Sequence, residues 1–170
     1  MTFRLILMRH AKSSWDSPGL DDHARPLNDR GRRSAAALGD WLRAKGYLPD
    51  QVLCSSAVRT QETLDGLRLD AAAVDHLSAL YHAGPDAMLH VLNGATGLSV
   101  LMLGHNPGIA AFAHLLLHAR PRHARFDDYP TGATLVADFD APGWDSVDWR
   151  TGRTADFTVP ADLGIGKGAP

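Results

Sequence analysis

The sequence predicts an α/β fold built on a parallel central sheet, and three observations carry that prediction. The apolar runs at residues 3–8, 48–54 and 99–103 have the continuity of strands buried on both faces. Each run is followed by a segment of helical character with a cap or a proline at its start. Each also ends beside residues able to do chemistry: Arg9 and His10, then Ser55 and Ser56 leading to Arg59, then His105. Those ends meet in one crevice only if the strands run parallel, with ligands taken at their carboxyl ends.

At 170 residues the chain supports one domain with a full core. Residues 1–163 are expected to form it, with the glycine-rich residues 164–170 as a flexible tail. A net charge of −2 provides no basic field for nucleic acid or an anionic membrane, so phosphate recognition has to be local. The apolar stretch from Leu5 to Met8 is cut off by Arg9, which argues against a signal peptide or a membrane span. The single Cys54 cannot form an internal disulfide; it fits core packing and a cytoplasmic location.

In chain order, residues 13–27 read as a polar loop bordering the pocket, in which Pro26 holds Arg25 extended. Arg25 is a candidate auxiliary phosphate contact, with a surface arginine as the competing reading. Asn28 is a good N-cap for a helix to about Lys45, with Leu38, Trp41 and Leu42 on one face and Gly46 as the stop. After the second strand, Ser55 and Ser56 offer caps for a helix whose first turn holds Arg59. A cation there opposes the helix dipole unless an anion binds beside it.

Residues 71–75 suggest a short strand, residues 80–84 are irregular, and Pro85 opens a helix to about Leu92. The strand at residues 99–103 ends in Gly104-His105-Asn106-Pro107, and Pro107 starts a helix to about Leu117. Residues 133–139 and 154–159 read as strands joined by a loop at a sheet edge. Trp144 and Trp149 are assigned to the core, with a partner surface as the other option. The oligomeric state is not readable.

Two arginines and two histidines around one phosphoryl group form a coherent site. Arg9, Arg59 and one histidine would neutralise its oxygens while the other histidine attacks phosphorus in line, with no metal or other cofactor required. The attacking ring should donate from its second nitrogen to a backbone carbonyl, which leaves the reactive lone pair exposed.

The stretches Leu7-Met8-Arg9-His10-Ala11-Lys12-Ser13, Arg25-Pro26-Leu27-Asn28-Asp29-Arg30-Gly31, Cys54 to Thr63 and Gly104-His105-Asn106-Pro107 occur in an order that resembles the histidine phosphatase, or phosphoglycerate-mutase-like, superfamily. They resemble in particular its small SixA-type phosphohistidine phosphatases. The resemblance implies a three-layer α/β/α sandwich around a mostly parallel sheet. It further implies that His10 is the nucleophile of a covalent phosphohistidine intermediate, that Arg9, Arg59 and His105 form the phosphate pocket, and that Arg25 is an added contact.

Two positions depart from the superfamily pattern. Ala11 stands where glycine is usual, a change the SixA-type branch tolerates. The segment corresponding to Leu80 to Asp86 lacks the glutamate that serves many ester-cleaving members as general acid, leaving His82 and Asp86 as candidates, with a surface role as the favoured competing reading for each. An alkoxide leaving group needs such an acid, whereas a phosphorylated imidazole can leave neutral if its other nitrogen is already protonated. The expected substrate is therefore a histidine-phosphorylated protein, for instance a phosphotransfer domain.

The rival readings are a small-molecule phosphomonoesterase of the same superfamily and a phosphate-binding domain without turnover. A metal site is a third, since His114 and His118 have i, i+4 spacing among nine histidines, but no zinc-hydrolase pattern surrounds them.

Overall fold

The computed structural model describes residues 1–71 and 73–166. Six strands form one sheet: β1 (Thr2–Arg9), β2 (Gln51–Ser55), β3 (Ala73–Leu77), β4 (Ser99–Gly104), β5 (Thr134–Asp140) and β6 (Arg153–Thr158), in the order β3-β2-β4-β1-β5-β6. The β1–β4, β2–β4 and β2–β3 pairs are parallel, while β5 and β6 add antiparallel at one side. The sheet is thus mostly parallel, as expected.

Strand alternation divides the core between the two faces. Leu5 and Leu7 of β1, Val100 and Met102 of β4 and Leu135 and Phe139 of β5 pack with α3 (Pro85–Asn93) and α4 (Gly108–Leu116). Ile6, Met8, Leu101, Leu103 and Val136 face the other way, onto α1 (Asp29–Lys45) and α2 (Val58–Leu67). A sheet apolar on both faces and covered by helix pairs is the α/β/α sandwich. Trp144 is buried against Phe3 and Phe139, and Trp149 packs edge-on to Phe112, so both tryptophans serve packing. Cys54 is also core, and burial pushes its thiol up to about 12.

The helix signals hold for α1: the Asn28 side chain accepts from the Gly31 N–H at 2.8 Å, and Gly46 closes the helix in the left-handed region at φ 73°. For α2 the expectation of a serine cap is corrected. Its N-cap is Ala57, which makes no side-chain cap bond, because Ser55 and Ser56 turn their hydroxyls toward His105 and His23. The second strand starts at Gln51 rather than Leu48, and β3 runs two residues later than expected, with Ala72 outside the described residues. Of the proposed tail, Gly164 and Ile165 hydrogen-bond back to Ala161 and Pro160, and residues 167–170 lie outside the described residues. No helix among the described residues is long and apolar enough to cross a membrane.

Two glycines bring neighbouring elements onto the carboxyl ends of the strands. A Cβ on Gly31 would lie 2.0 Å from the Lys12 carbonyl oxygen, so α1 begins in contact with the segment after His10. A Cβ on Gly108 would lie 1.8 Å from the Ala83 carbonyl oxygen, which brings α4 against the turn carrying Tyr81 and His82.

Candidate active site

Arg9 ends β1, His10 follows it, and His105 follows β4, the strand that pairs with β1. The parallel register matches Arg9 with Gly104, so the two histidines leave the sheet side by side, with ring centroids 5.3 Å apart. Both are 5% exposed. The His10 Nδ1 lies 2.7 Å from the Ala11 carbonyl oxygen, the contact expected for tautomer control. With the proton on Nδ1, the Nε2 lone pair is free to attack. Burial, reinforced by the nearby Arg9, His105 and Arg59, holds the His10 pKa well below its ordinary value, so the ring is neutral at neutral pH.

His105 is set by Ser55 at the end of β2, whose Oγ is 2.7 Å from His105 Nε2. When the hydroxyl donates to Nε2, the proton stays on Nδ1, which is buried and has no partner. Burial first, then the Arg59 charge, lowers the His105 pKa to about 3. Arg9 donates to the Tyr129 carbonyl oxygen at 3.2 Å, and its buried Nε is unpartnered. Burial and the neighbouring Arg59 charge lower its pKa.

Arg59 is 4% exposed in the first turn of α2. The anion that its position calls for is present within the chain. Asp22, in a 3-10 turn at Asp22–Ala24, accepts from Arg59 Nη1 through its carbonyl oxygen at 2.7 Å and from Nη2 through its carboxylate at 3.1 Å. The same carboxylate accepts from the Tyr81 hydroxyl at 2.6 Å and from Arg25 at 2.9 Å. These hydrogen bonds, Tyr81 first and Arg25 next, hold the Asp22 pKa far below the usual carboxylate range. Arg25 also donates to the Ser13 hydroxyl and lies over the Trp15 ring, 3.8 Å from its centroid. It therefore joins the site through Asp22, one residue further out than Arg59.

Arg9, His10, Arg59 and His105 converge, and Arg25 borders them. Of the two acid candidates, His82 lies at the rim with Nε2 3.4 Å from Asp22, whereas Asp86 is exposed in the first turn of α3. His114 pairs with Asp127, and His118 lies beyond the end of α4, so the two do not share a helix face. Among the described residues no group of three or more His, Cys, Asp or Glu side chains is arranged to hold a metal.

Sequence reasoning passed over Asp22, Tyr81 and Ser55. The Asp22–Arg25 spacing of i, i+3 was a usable signal for the first. The other two act through partners remote in sequence.

The sequence profile of the histidine phosphatase superfamily, branch 1, matches residues 5–81. An uncharacterised protein of Mycobacterium tuberculosis is 41% identical over 160 residues, which span 90% of this chain and 99% of the relative. A solved structure from Nakamurella multipartitia, named for the phosphohistidine phosphatase SixA, superposes with a TM-score of 0.82 at 29% identity, covering 94% of this chain and 97% of its own. The chain belongs to the histidine phosphatase superfamily. A second structure named for SixA, from Agrobacterium tumefaciens, gives a TM-score of 0.76 at 26% identity, covering 93% of this chain and 99% of that one. This superfamily member is therefore of the SixA type, and the α/β/α sandwich is the fold it shares with those structures. The family and its neighbours support a phosphatase.

Proposed function

We propose that this phosphatase removes phosphate from phosphohistidine in a protein substrate, through a covalent intermediate on His10. The observation that carries the mechanism is the His10 Nδ1 contact with the Ala11 carbonyl, which fixes a buried neutral ring as a nucleophile beside two guanidinium groups. Arg9 and Arg59 hold the non-bridging oxygens, and the unpartnered His105 Nδ1 donates to a third position. Displacement at phosphorus places the phosphoryl group on His10 Nε2, and water then releases it as inorganic phosphate.

The choice of a P–N over a P–O bond is supported by the state of Asp22, the carboxylate hydrogen-bonded to Arg59. Asp22 is held ionised, so it is a poor proton donor to an alkoxide. A protonated phosphoimidazole needs no such donor. The partner read from this chemistry is a histidine-phosphorylated domain offering its ring at an accessible surface.

A small-molecule phosphomonoesterase is the second reading. It is favoured by a cleft of about 270 Å³ beside the site, lined by His82, Pro85, Asn106, Pro107 and Ala111, with room for a compact leaving group. Phosphate release from a histidine-phosphorylated phosphotransfer domain and from simple phosphomonoesters, with His10→Ala as the blank, separates the readings. Faster His10-dependent release from the phosphoprotein is the expected result. A preference for esters transfers the assignment to the second reading.

A further inference from the structure

The His82 ring has an unusual setting for a rim residue. Its side chain is 62% exposed, yet the ring stacks on Tyr81, with centroids 3.9 Å apart and planes inclined by 22°. Its Nε2 points to Asp22 Oδ2 at 3.4 Å, and its backbone sits at φ 56°. An imidazole thus rests between an aromatic face and an ionised carboxylate, its centroid 6.3 Å from that of His105, at the edge of the phosphate pocket. The loop side of this place is closed by His23, whose ring packs edge-on to Tyr81 at 4.8 Å.

From these contacts we infer that Tyr81 and Asp22 form an imidazolium subsite, filled by the His82 ring in the free protein and taken by the phosphorylated histidine ring of the substrate. The inference rests on the proposed phosphohistidine activity and adds the group that recognises the leaving ring. Asp22 is suited to this role for the same reason that it is unsuited to acid catalysis. It is faced by Arg25 from its own loop, Arg59 from α2, and Tyr81 and His82 from the turn after β3, an array that keeps it anionic. An anionic acceptor stabilises the ring form of phosphohistidine that carries a proton on its second nitrogen. That form makes the P–N bond easier to break.

The step balances without a proton donor from the protein. The His10 Nε2 lone pair forms the new N–P bond, and the electron pair of the breaking P–N bond returns to the substrate ring. That ring keeps the proton on its other nitrogen, leaves as neutral imidazole and donates this N–H to Asp22. Water then attacks phosphorus on His10, and its protons leave with the phosphate. Displacing His82 loses only a long contact and a stack at the surface, which the incoming ring replaces.

The test compares kcat/KM for a peptide carrying phosphohistidine with kcat/KM for an aryl phosphate, using the full chain. Asp22→Asn should lower the ratio of the two by at least about tenfold, and Asp22→Glu should restore part of it. The alkaline limb of kcat on the phosphohistidine peptide should also move to lower pH by about one unit in Asp22→Asn, because the bound ring loses the anion that favours its protonated form. His82→Ala should leave the ratio equal or higher, since the ring that competes for the subsite is gone.

An unchanged ratio in Asp22→Asn, with both activities falling together, would reduce Asp22 to a support for Arg59 and overturn the subsite. A tenfold or greater fall of the ratio in His82→Ala would also overturn it, making His82 itself the group that serves the leaving ring. Failure of the proposed function is a separate result. It shows as the absence of His10-dependent release from the phosphohistidine peptide by the unsubstituted protein, and the subsite falls with it.

Discussion

The Nδ1 of His10 stands 2.7 Å from the carbonyl oxygen of Ala11, its neighbour in the chain. A ring held by the next peptide unit cannot turn without losing that bond, so its other nitrogen stays aimed into the pocket. Ala11 is fully buried, and its N–H donates to the Thr63 hydroxyl at 3.0 Å. Thr63 in turn donates to the Arg59 carbonyl at 2.7 Å. His10 and Arg59 are therefore fixed to one another through the peptide that holds the His10 ring.

His10→Ala should reduce phosphate release by about 1000-fold or more while leaving the fold intact, because covalent transfer loses its acceptor. In the unsubstituted protein the acid limb of kcat/KM should lie below about pH 6.5, the value of an unburied histidine. The sign follows from burial. The depressed pKa keeps His10 unprotonated down to more acidic pH, so activity is lost later on acidification. A pH–rate profile with its acid limb at or above the ordinary histidine value would contradict this.

Ser55→Ala should lower kcat/KM by about tenfold or less, the effect of one hydrogen bond on orientation rather than of a group in contact with phosphorus. Without the Oγ at 2.7 Å, His105 can change tautomer and rotate, and its Nδ1 is no longer held as a donor. Ser55→Thr keeps a hydroxyl and should retain more activity than Ser55→Ala if the buried site admits the extra methyl. Thermal unfolding of each variant separates loss of orientation from loss of fold.

The chain displayed its scaffold and its cationic centre openly, but hid the carboxylate that organises the rim. The alternation of Leu5, Ile6, Leu7 and Met8 between two cores is legible because all four of these residues are apolar and buried. Arg9, His10 and His105 stand out because a guanidinium or imidazole directly after a buried strand adds nothing to apolar packing. Asp22 lies in a polar loop, where a carboxylate ordinarily means solvated charge. Its partners Arg59 and Tyr81 are 37 and 59 residues away, beyond the reach of any local pattern. Ser55 shows the same limit, since a serine before a helix reads as a cap until a histidine 50 residues later claims its hydroxyl.

Gly31→Ala should cost about 1–3 kcal/mol of stability, the usual penalty for overpacking. The added Cβ would meet the Lys12 carbonyl oxygen at 2.0 Å, and backbone on both sides leaves little to give way. Gly94→Ala is the comparison: its Cβ would lie 3.5 Å from the Val91 carbonyl oxygen at φ −89°, and the change should stay within about 0.5 kcal/mol. Urea midpoints measure both. Equal effects would mean that α1 can retreat from the active-site segment at no cost.

Stability should fall on acidification. His10 and His105 both have folded pKa values below the ordinary 6.5, and that of His105 is about 3. Their contribution is complete above the unfolded value and is lost as pH falls from there toward the folded values, because the unfolded chain takes up protons that the buried rings refuse. Each such ring gives a slope of up to about 1.4 kcal/mol per pH unit within that window. Urea unfolding from about pH 7 to about pH 5 should show a shallower loss in His105→Asn than in the unsubstituted protein. The same slope in both would mean that His105 is protonated in the folded state.

Arg59 and Arg25 share the Asp22 carboxylate, but their substitution should have different kinetic signatures. Arg59 is almost fully buried and hydrogen-bonded to Asp22, and under the proposed function its fork takes the phosphoryl group as this passes from the leaving group to His10. Arg59→Ala should therefore reduce kcat by about 100-fold or more, and Arg59→Lys should recover little because an ammonium cannot replace a planar fork. Arg25 is occupied by Ser13, Asp22 and the Trp15 face. Arg25→Ala should raise KM by about tenfold or less with a smaller change in kcat, since it loosens the loop that carries Asp22 and removes a charge at the rim. A loss in kcat for Arg25→Ala as large as that for Arg59→Ala would move Arg25 into direct contact with the transferring group, and the loop would then have to close over the phosphate during turnover.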